Sequence, residues 1–231
     1  MNKVKFVNKI ILAKNISSFI FTKPQDFSYT AGQYIEITLP HDDADDRGIK
    51  RWFTLSSSPN EDFLAITTKF ATQNGSSFKN SLKDLPIGIE VTISDAMGDF
   101  VLPINPEIPI LMVAGGIGIT PVRSMFAWLN SQNQKRKIKV IYGVNNEEDI
   151  VFKRDIESLA DLEIVVSNST SWQGKTGMLN SPMIYPEISQ NQLVFLSGPE
   201  PMVEQLSYDL KLAGVKPEKL VTDFFPGYTN L

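Results

Sequence analysis

The sequence predicts two domains, an antiparallel β-barrel followed by an α/β domain built on a parallel sheet. The pattern of apolar residues changes along the chain, and this change supports the prediction. Residues 3 to about 103 hold short alternating or β-branched stretches separated by turn residues, which is typical of an antiparallel barrel. Beyond them, buried strands alternate with helices, which indicates a parallel sheet covered on both faces. The proline-rich stretch 103–109 lies between the two patterns, so we predict domains at 1–103 and 104–231.

Five stretches of the first half have the alternation expected of barrel strands. They read "KVKFV", "SFIFTK", "QYIEITL", "FLAITTKF" and "EVTIS". A sixth, "RWFTLSSSP" at 51–59, carries a run of hydroxyls behind one arginine, which indicates that something polar lies along it. A helix is predicted at 76–85, because a serine suited to cap it precedes Phe78, Leu82 and Leu85 at helical spacing.

The second half repeats a unit of strand and helix. The strands read "PILMVAGG", "KIKVIYGV", "LEIVVSN" and "QLVFLSG", and the helices read "TPVRSMFAWLNSQ", "DIVFKRDIESLA" and "PEPMVEQLSYDLKLAG". Two turns between strand and helix, at 115–121 and 197–202, contain glycine. Such glycines let a dinucleotide approach the backbone, while the helix start that follows offers N–H groups to a phosphate. A tight packing turn is the competing interpretation, and the second turn favours nucleotide binding over it.

Composition excludes several kinds of site. The 231 residues include no cysteine, so disulfides, thiolate zinc sites and cysteine-ligated iron–sulfur clusters are excluded, and redox chemistry needs an organic cofactor. A net charge of −4 argues against nucleic acid as a partner, and the absence of a long apolar run predicts a cytoplasmic protein without membrane insertion. The only histidine, His41, lies beside four aspartates, which we interpret as a solvated loop and not as a metal site or a hydrolase base.

Three motifs in order along the chain resemble those of the ferredoxin–NADP reductase-like family. "RWFTLSSSP" resembles the flavin signature R-x-[YF]-[ST]-x-x-S, "GGIGITP" resembles the pyridine-nucleotide turn G-G-x-G-x-[TS]-P, and "SGPEPM" resembles C-G-P-x-x-M. "AGQYIEITLP", "SSFKNSL", "DAMGDFVLP" and "FFPGY" are similar to further family segments, so the resemblance covers nearly the whole chain. It implies an antiparallel flavin-binding barrel followed by a nucleotide-binding α/β domain.

The resemblance assigns FAD-binding roles in the first half. Arg51 would pair with the flavin pyrophosphate, Phe53 would lie against the isoalloxazine, and the Thr54 hydroxyl would sit near flavin N5. Ser57 would lie near the phosphate. The helix start at Ser76 and Ser77 would offer N–H groups to the same pyrophosphate. FAD is favoured over FMN because the complete signature goes with the FAD-binding members.

In the second half the resemblance implies a site for NADH or NADPH. The residues of its two turns are Gly115, Gly116, Gly118, Thr120, Pro121, Ser197, Gly198, Pro199 and Met202. Ser197 stands where many members have a cysteine beside the nicotinamide. Phe225 and Tyr228 are both open as the aromatic that covers the flavin, with Phe225 preferred, and Asp223 is the carboxylate that would assist proton movement. Hydroxyls and one lysine, but no arginine, follow "LEIVV", which favours NADH.

The function implied is a flavin-dependent NAD(P)H oxidoreductase that passes hydride from NAD(P)H to FAD and then electrons to an acceptor. The acceptor would be a ferredoxin, a cytochrome, an oxygenase component or free flavin, on a separate chain or as a small molecule. Two other functions stay open, an electron-transfer subunit active only within a complex and a non-catalytic nucleotide-binding module.

Overall fold

The first half of the chain forms a closed antiparallel sheet. The computed structural model describes residues 1–42, 44–71 and 75–225. Six strands are paired in the order β4-β3-β6-β1-β2-β5: β1 Asn2–Ala13, β2 Ile16–Thr22, β3 Tyr34–Thr38, β4 Lys50–Thr54, β5 Phe63–Lys69 and β6 Glu90–Ile93. A bridge between Leu55 and Ile66 joins the two outer strands, which closes the sheet into a barrel.

Helix α1, Ser77–Lys83, closes one end of the barrel. The Ser76 hydroxyl accepts a hydrogen bond from the Lys79 N–H at 3.2 Å, so the predicted helix cap is confirmed. Phe78 and Leu82 are completely buried in the barrel core, as their helical spacing predicts.

The second half forms a sheet whose neighbouring strands are all parallel. Its order is β10-β9-β8-β7-β11-β12, from β7 Ile110–Gly115, β8 Ile138–Val144, β9 Asp161–Val166, β10 Lys175–Thr176, β11 Leu193–Pro199 and β12 Leu220–Phe225. The helices are α2 Ile119–Ser131, α3 Lys153–Glu157, α4 Ser181–Ile184 and α5 Glu200–Leu212. The predicted fold class is confirmed. Within the described residues, no helix is both long and apolar enough to cross a membrane.

Helix α3 is much shorter than the sequence predicts. The pattern over 149–160 predicts a helix, but only five residues adopt one. Ile150 is extended, and Phe152 has a left-handed backbone with φ of 59°, which side chains other than glycine rarely adopt. The apolar residues before Lys153 pack against the sheet from a loop, so their burial does not require a longer helix.

The two halves share one contact surface. Ala31 and Phe100 of the first half belong to the core cluster of the parallel sheet, where the ring of Phe100 lies 5.0 Å from that of Phe195. Arg123 on α2 donates to both carboxylate oxygens of Glu61, in the β4–β5 turn, at 2.6 and 2.9 Å. The predicted boundary at residue 103 stays a prediction. These contacts hold the barrel against the carboxyl ends of the parallel strands.

Candidate functional site

A cavity of about 850 Å³ opens where the barrel meets the carboxyl end of the parallel sheet. Strands β3, β4 and β5 and the start of α1 contribute one wall, and the turn after β7 and the end of β12 contribute the other. Ligands of open parallel sheets bind at this edge, because strand ends and helix starts meet there. A volume of this size falls within the range of cofactor pockets, about 300–1,000 Å³.

Seven residues named from the sequence line this cavity: Arg51, Phe53, Thr54, Ser76, Thr120, Asp223 and Phe225. They come from both halves of the chain, and so the fold brings together side chains up to 174 positions apart in sequence (225 − 51). Ten others lie outside its lining: Ser57, Ser77, Gly115, Gly116, Gly118, Pro121, Ser197, Gly198, Pro199 and Met202. Tyr228, the alternative to Phe225, lies outside the described residues.

Arg51 presents its guanidinium at the cavity wall. Its Nη1 donates to the carbonyl oxygens of Arg47, Gly48 and Lys50 at 2.7, 2.9 and 2.6 Å, and its Nη2 donates to Asp45 at 2.8 Å. Among the described residues, its buried Nε has no hydrogen-bond partner. The guanidinium is therefore held in place by backbone carbonyls and keeps Nε, together with the second N–H of Nη2, for a further acceptor.

Two residues of the acidic loop make contacts that a solvated loop does not predict, although Asp42 and Asp46 are exposed as expected. Asp45 pairs with Arg51 and accepts a hydrogen bond from the Ser77 N–H at 3.1 Å. His41 lies 2.8 Å from the Leu39 carbonyl through Nδ1 and 3.1 Å from the Ser77 hydroxyl through Nε2. The acidic loop thus packs against the start of α1 through specific polar contacts.

Phe53 and Ser57 of the flavin signature, like Thr54, lie mainly inside the protein. Phe53 is 7% exposed, and its ring packs 5.8 Å from Phe78 in the barrel core, although the residue also lines the cavity. Ser57 is completely buried, with its hydroxyl 2.8 Å from the Tyr29 hydroxyl and its carbonyl accepting from Ser124 on α2 at 2.5 Å. Ser57 joins the barrel to the α/β domain and does not face the cavity.

The first glycine turn has a packing reason of its own. Gly116 has φ of 52°, a left-handed conformation that glycine adopts without strain. A Cβ on Gly118 would lie 2.2 Å from the Ser197 carbonyl oxygen and 2.7 Å from the Gly198 nitrogen. Glycine at 118 therefore lets the turn after β7 touch the end of β11, which presents Thr120 to the cavity.

The end of β12 contributes an acid whose pKa is displaced. The pKa of Asp223 is raised from 3.8 to about 7, mainly because burial disfavours the charged form. A hydrogen bond from the Ser197 hydroxyl at 3.4 Å opposes this rise, and the neighbouring carboxylate of Asp99 adds to it. Asp223 is therefore divided between its protonated and ionised forms near neutral pH, as suits a group that exchanges a proton.

Sequence reasoning missed several charged residues of the cavity wall, among them Asp99, Lys69 and Lys79. Asp99 lies within "DAMGDFVLP" but received no role, and its signal is an acid directly after a glycine at the end of the barrel. Lys69 and Lys79 approach each other from β5 and α1, with the Lys79 amine donating to the Lys69 carbonyl at 2.9 Å. The Lys69 amine lies 3.1 Å from the Asp149 carboxylate, a contact between the two halves that local sequence does not reveal.

Comparison with known proteins supports the resemblance to this family. Residues 112–207 match the family described as oxidoreductase NAD-binding domain. Flavohemoprotein B of Dictyostelium discoideum is 30% identical over 221 residues, covering 86% of this chain and 52% of the relative. A ferredoxin NADP+ reductase from Neisseria gonorrhoeae, crystallised with bound FAD and NADP, superposes with a TM-score of 0.82 at 16% identity, covering 96% of this chain and 98% of that one. The chain is thus similar to the ferredoxin–NADP reductase-like family in its NAD-binding domain and in its fold.

The structural similarity covers both halves of the fold. A further relative, the glycine betaine monooxygenase reductase subunit of Chromohalobacter salexigens, is 26% identical over 209 residues, covering 85% of this chain and 56% of the relative. The chain therefore spans about half the length of these two curated relatives, at 52% and 56%. The resemblance read from three motifs is confirmed at the level of family and fold.

Proposed function

We propose that this chain is a flavin-dependent NAD(P)H oxidoreductase that binds FAD in the cavity and passes electrons from NAD(P)H to a separate acceptor. One observation carries the proposal. A single cavity brings Arg51 and Thr54 of the flavin signature together with Thr120 and Asp223 at the carboxyl end of the parallel sheet. A cofactor and a nucleotide that bound these two walls would meet inside the same cavity.

The residues present fit an FAD molecule. The buried Nε of Arg51 has no hydrogen-bond partner among the described residues, and a phosphate oxygen is an acceptor suited to it. Lys69 and Lys79 add positive charge to the same wall, while Trp52 and Phe225 add aromatic surface. The cavity thus has a cationic part for phosphates and an aromatic part for a ring system.

The chain's own residues would bind the cofactor, orient it and exchange a proton. Bound flavin supplies hydride acceptance and the release of single electrons. Arg51 would fix the pyrophosphate, and Thr54, which is 4% exposed, would donate from a rigid strand. Asp223 holds or releases a proton near neutral pH, and the Ser197 hydroxyl orients its carboxyl group. Phe225 lines the same end of the cavity and is our choice for the aromatic that covers the flavin.

Glu147 favours NADH over NADPH as the donor. It follows β8 at the carboxyl edge of the sheet, and its Oε1 accepts from the hydroxyls of Ser169 and Ser171 at 2.6 and 2.9 Å. These two hydrogen bonds lower the pKa of Glu147 and keep it ionised. A carboxylate at this edge can accept from ribose hydroxyls and repels a 2′-phosphate. Lys175, the cation in the segment after β9, is engaged with Glu163 at 2.7 Å.

An anaerobic titration tests the proposed function. Purified protein reconstituted with FAD would be titrated with NADH and, separately, with NADPH while the visible flavin band is recorded. We expect NADH to bleach the band at lower concentration, and Glu147→Gln to reduce the preference by roughly tenfold. Glu148→Gln is the matched control, because Glu148 is an exposed neighbour of the same charge. A protein that binds FAD but is bleached by neither nucleotide would refute the reductase proposal.

A second function is favoured by exposed aromatic surface beside the cavity. Trp52 is 60% exposed and Phe224 is 47% exposed, and both line the cavity. Such surface suits an electron-transfer subunit that works only with its partner bound. Flavin that is bleached by NADH but reoxidised only slowly by small acceptors would support this alternative. A colourless protein that cannot be reconstituted with FAD would instead support a non-catalytic nucleotide-binding module.

A further inference from the structure

The Asp45 carboxylate is bound by donors that suit a phosphate. Its Oδ1 accepts from Arg51 Nη2 at 2.8 Å, and its Oδ2 accepts from the Ser77 N–H at 3.1 Å. The Asp45 N–H donates in turn to the Ser77 hydroxyl at 2.9 Å. One anionic group of this loop therefore bridges the guanidinium of β4 and the first turn of α1.

A second anion at Arg51 would share its guanidinium with Asp45. Its Nη1 is engaged by three carbonyl oxygens of residues 47, 48 and 50, so the guanidinium is fixed against the backbone. The side chain is 17% exposed, and its remaining donors are the buried Nε and the two N–H groups of Nη2, one of which is on Asp45. A phosphate that pairs with Nε and Nη2 in the forked geometry of an arginine therefore shares Nη2 with Asp45, which places two anions on one nitrogen.

We propose that Asp45 is an internal competitor of the cofactor's pyrophosphate for the charge of Arg51, so that FAD binds more weakly than it would without this carboxylate. The inference rests on the proposed function, because it takes Arg51 as the pyrophosphate ligand. A guanidinium that is already paired with a carboxylate yields less net affinity than an unpaired one. The carboxylate also stays close to a group of like charge, which further weakens binding.

The loop also holds a second cation beside the carboxylate. Arg47 Nη2 lies 3.2 Å from Asp45 Oδ2, and the Arg47 side chain is 57% exposed, so it offsets the charge of Asp45 only in part. Burial alone would raise the pKa of Asp45, but hydrogen bonds from Arg47 and Ser77 outweigh burial and hold the pKa well below its ordinary value. Asp45 is therefore ionised throughout the physiological range, and the competition persists at every pH at which the enzyme would work.

Binding measurements with two flavins test this inference. FAD and riboflavin would be titrated by fluorescence quenching into the wild-type protein, Asp45→Asn and Asp46→Asn. We expect Asp45→Asn to bind FAD roughly three- to tenfold more tightly, and to bind riboflavin, which has no phosphate, unchanged. Asp46 is exposed in the same loop and has the same charge, so Asp46→Asn controls for long-range electrostatics and should bind both flavins as the wild type does.

The melting temperature of the FAD-free protein gives an independent measurement. Asp45→Asn should melt at a lower temperature, because it loses the ion pair with Arg51 and weakens the hydrogen bond from the Ser77 N–H, although its affinity for FAD rises. A purely structural role for Asp45 predicts that stability and FAD affinity fall together, and that result would overturn the inference alone. Failure of all three proteins to bind FAD would refute the proposed function, and the inference with it.

Discussion

Replacing Asp223 by asparagine is expected to raise the free energy of unfolding at about pH 8 and to change it little at about pH 4. The pKa of Asp223 is raised from 3.8 to about 7 by burial, with a further rise from Asp99 and an opposing hydrogen bond from Ser197. A rise of this size corresponds to about 4 kcal/mol favouring the protonated carboxyl. Ionised Asp223 therefore destabilises the folded protein, and an asparagine removes that cost.

The sign of the pH dependence follows from the proton count. Between about pH 4 and pH 7 the folded protein holds a proton on Asp223 that the unfolded chain has released. Stability therefore falls as pH rises through this window, and above about pH 7 this group adds no further slope. Asp99→Asn should lower the pKa of Asp223 and move the upper end of the fall to lower pH.

Urea unfolding of the FAD-free protein, followed by tryptophan fluorescence at a series of pH values, measures the effect. We expect Asp223→Asn to gain about 2 to 4 kcal/mol over the wild type at about pH 8, and to lack the fall between pH 4 and 7. Asp62→Asn, which removes an exposed carboxylate from the β4–β5 turn, serves as the control. Parallel stability profiles for Asp223→Asn and the wild type would refute the assignment of a buried, proton-holding carboxyl.

Two further predictions concern the contacts that form the cavity. Gly118→Ala should lower the free energy of unfolding, measured in urea, by about 2 to 3 kcal/mol, because its Cβ would meet the Ser197 carbonyl at 2.2 Å. Gly75→Ala should lower it much less, because among the described residues its Cβ meets the flexible Asn80 side chain at 3.0 Å. Arg123→Met should cost about 2 kcal/mol and reduce the cooperativity of unfolding, because it leaves the partly buried Glu61 without its two charged hydrogen bonds. Equal effects from Arg154→Met, at an exposed position on α3, would contradict the second prediction.

The sequence predicts the fold class because most elements follow from burial. Alternation over 33–39 and 63–70 matches β3 and β5 to within one residue at each end, since each strand alternates or buries its apolar side chains. Strand β1 runs to Ala13, well past the predicted 3–7, and its extension carries exposed Ile10 and Ile11. Backbone pairing with β2 holds that extension in place. Such pairing does not require apolar residues at regular intervals, so the sequence does not reveal it.

Some features of the candidate site have local causes in the sequence, and others depend on contacts between distant segments. The glycine turns and the capping serine of α1 are local features, and motif spacing finds them. Ser57 shows the opposite case, because its place in the signature does not reveal that α2 covers its carbonyl. From the sequence, Asp45 looks like one of several solvated acids. In the structure its loop packs on α1 and brings the carboxylate to Arg51, which lies six positions later on β4.

The packing of the two halves against each other also explains why the pKa of Asp223 is raised. Strand β12 is an edge strand, and an acid at its end would ordinarily face water. Asp223 loses that water because the barrel, held by the Arg123 contact to Glu61, brings Asp99 and the end of β4 over the end of the sheet. The raised pKa of Asp223 is therefore a product of domain packing, so weakening the Arg123 contact should lower the pKa of Asp223.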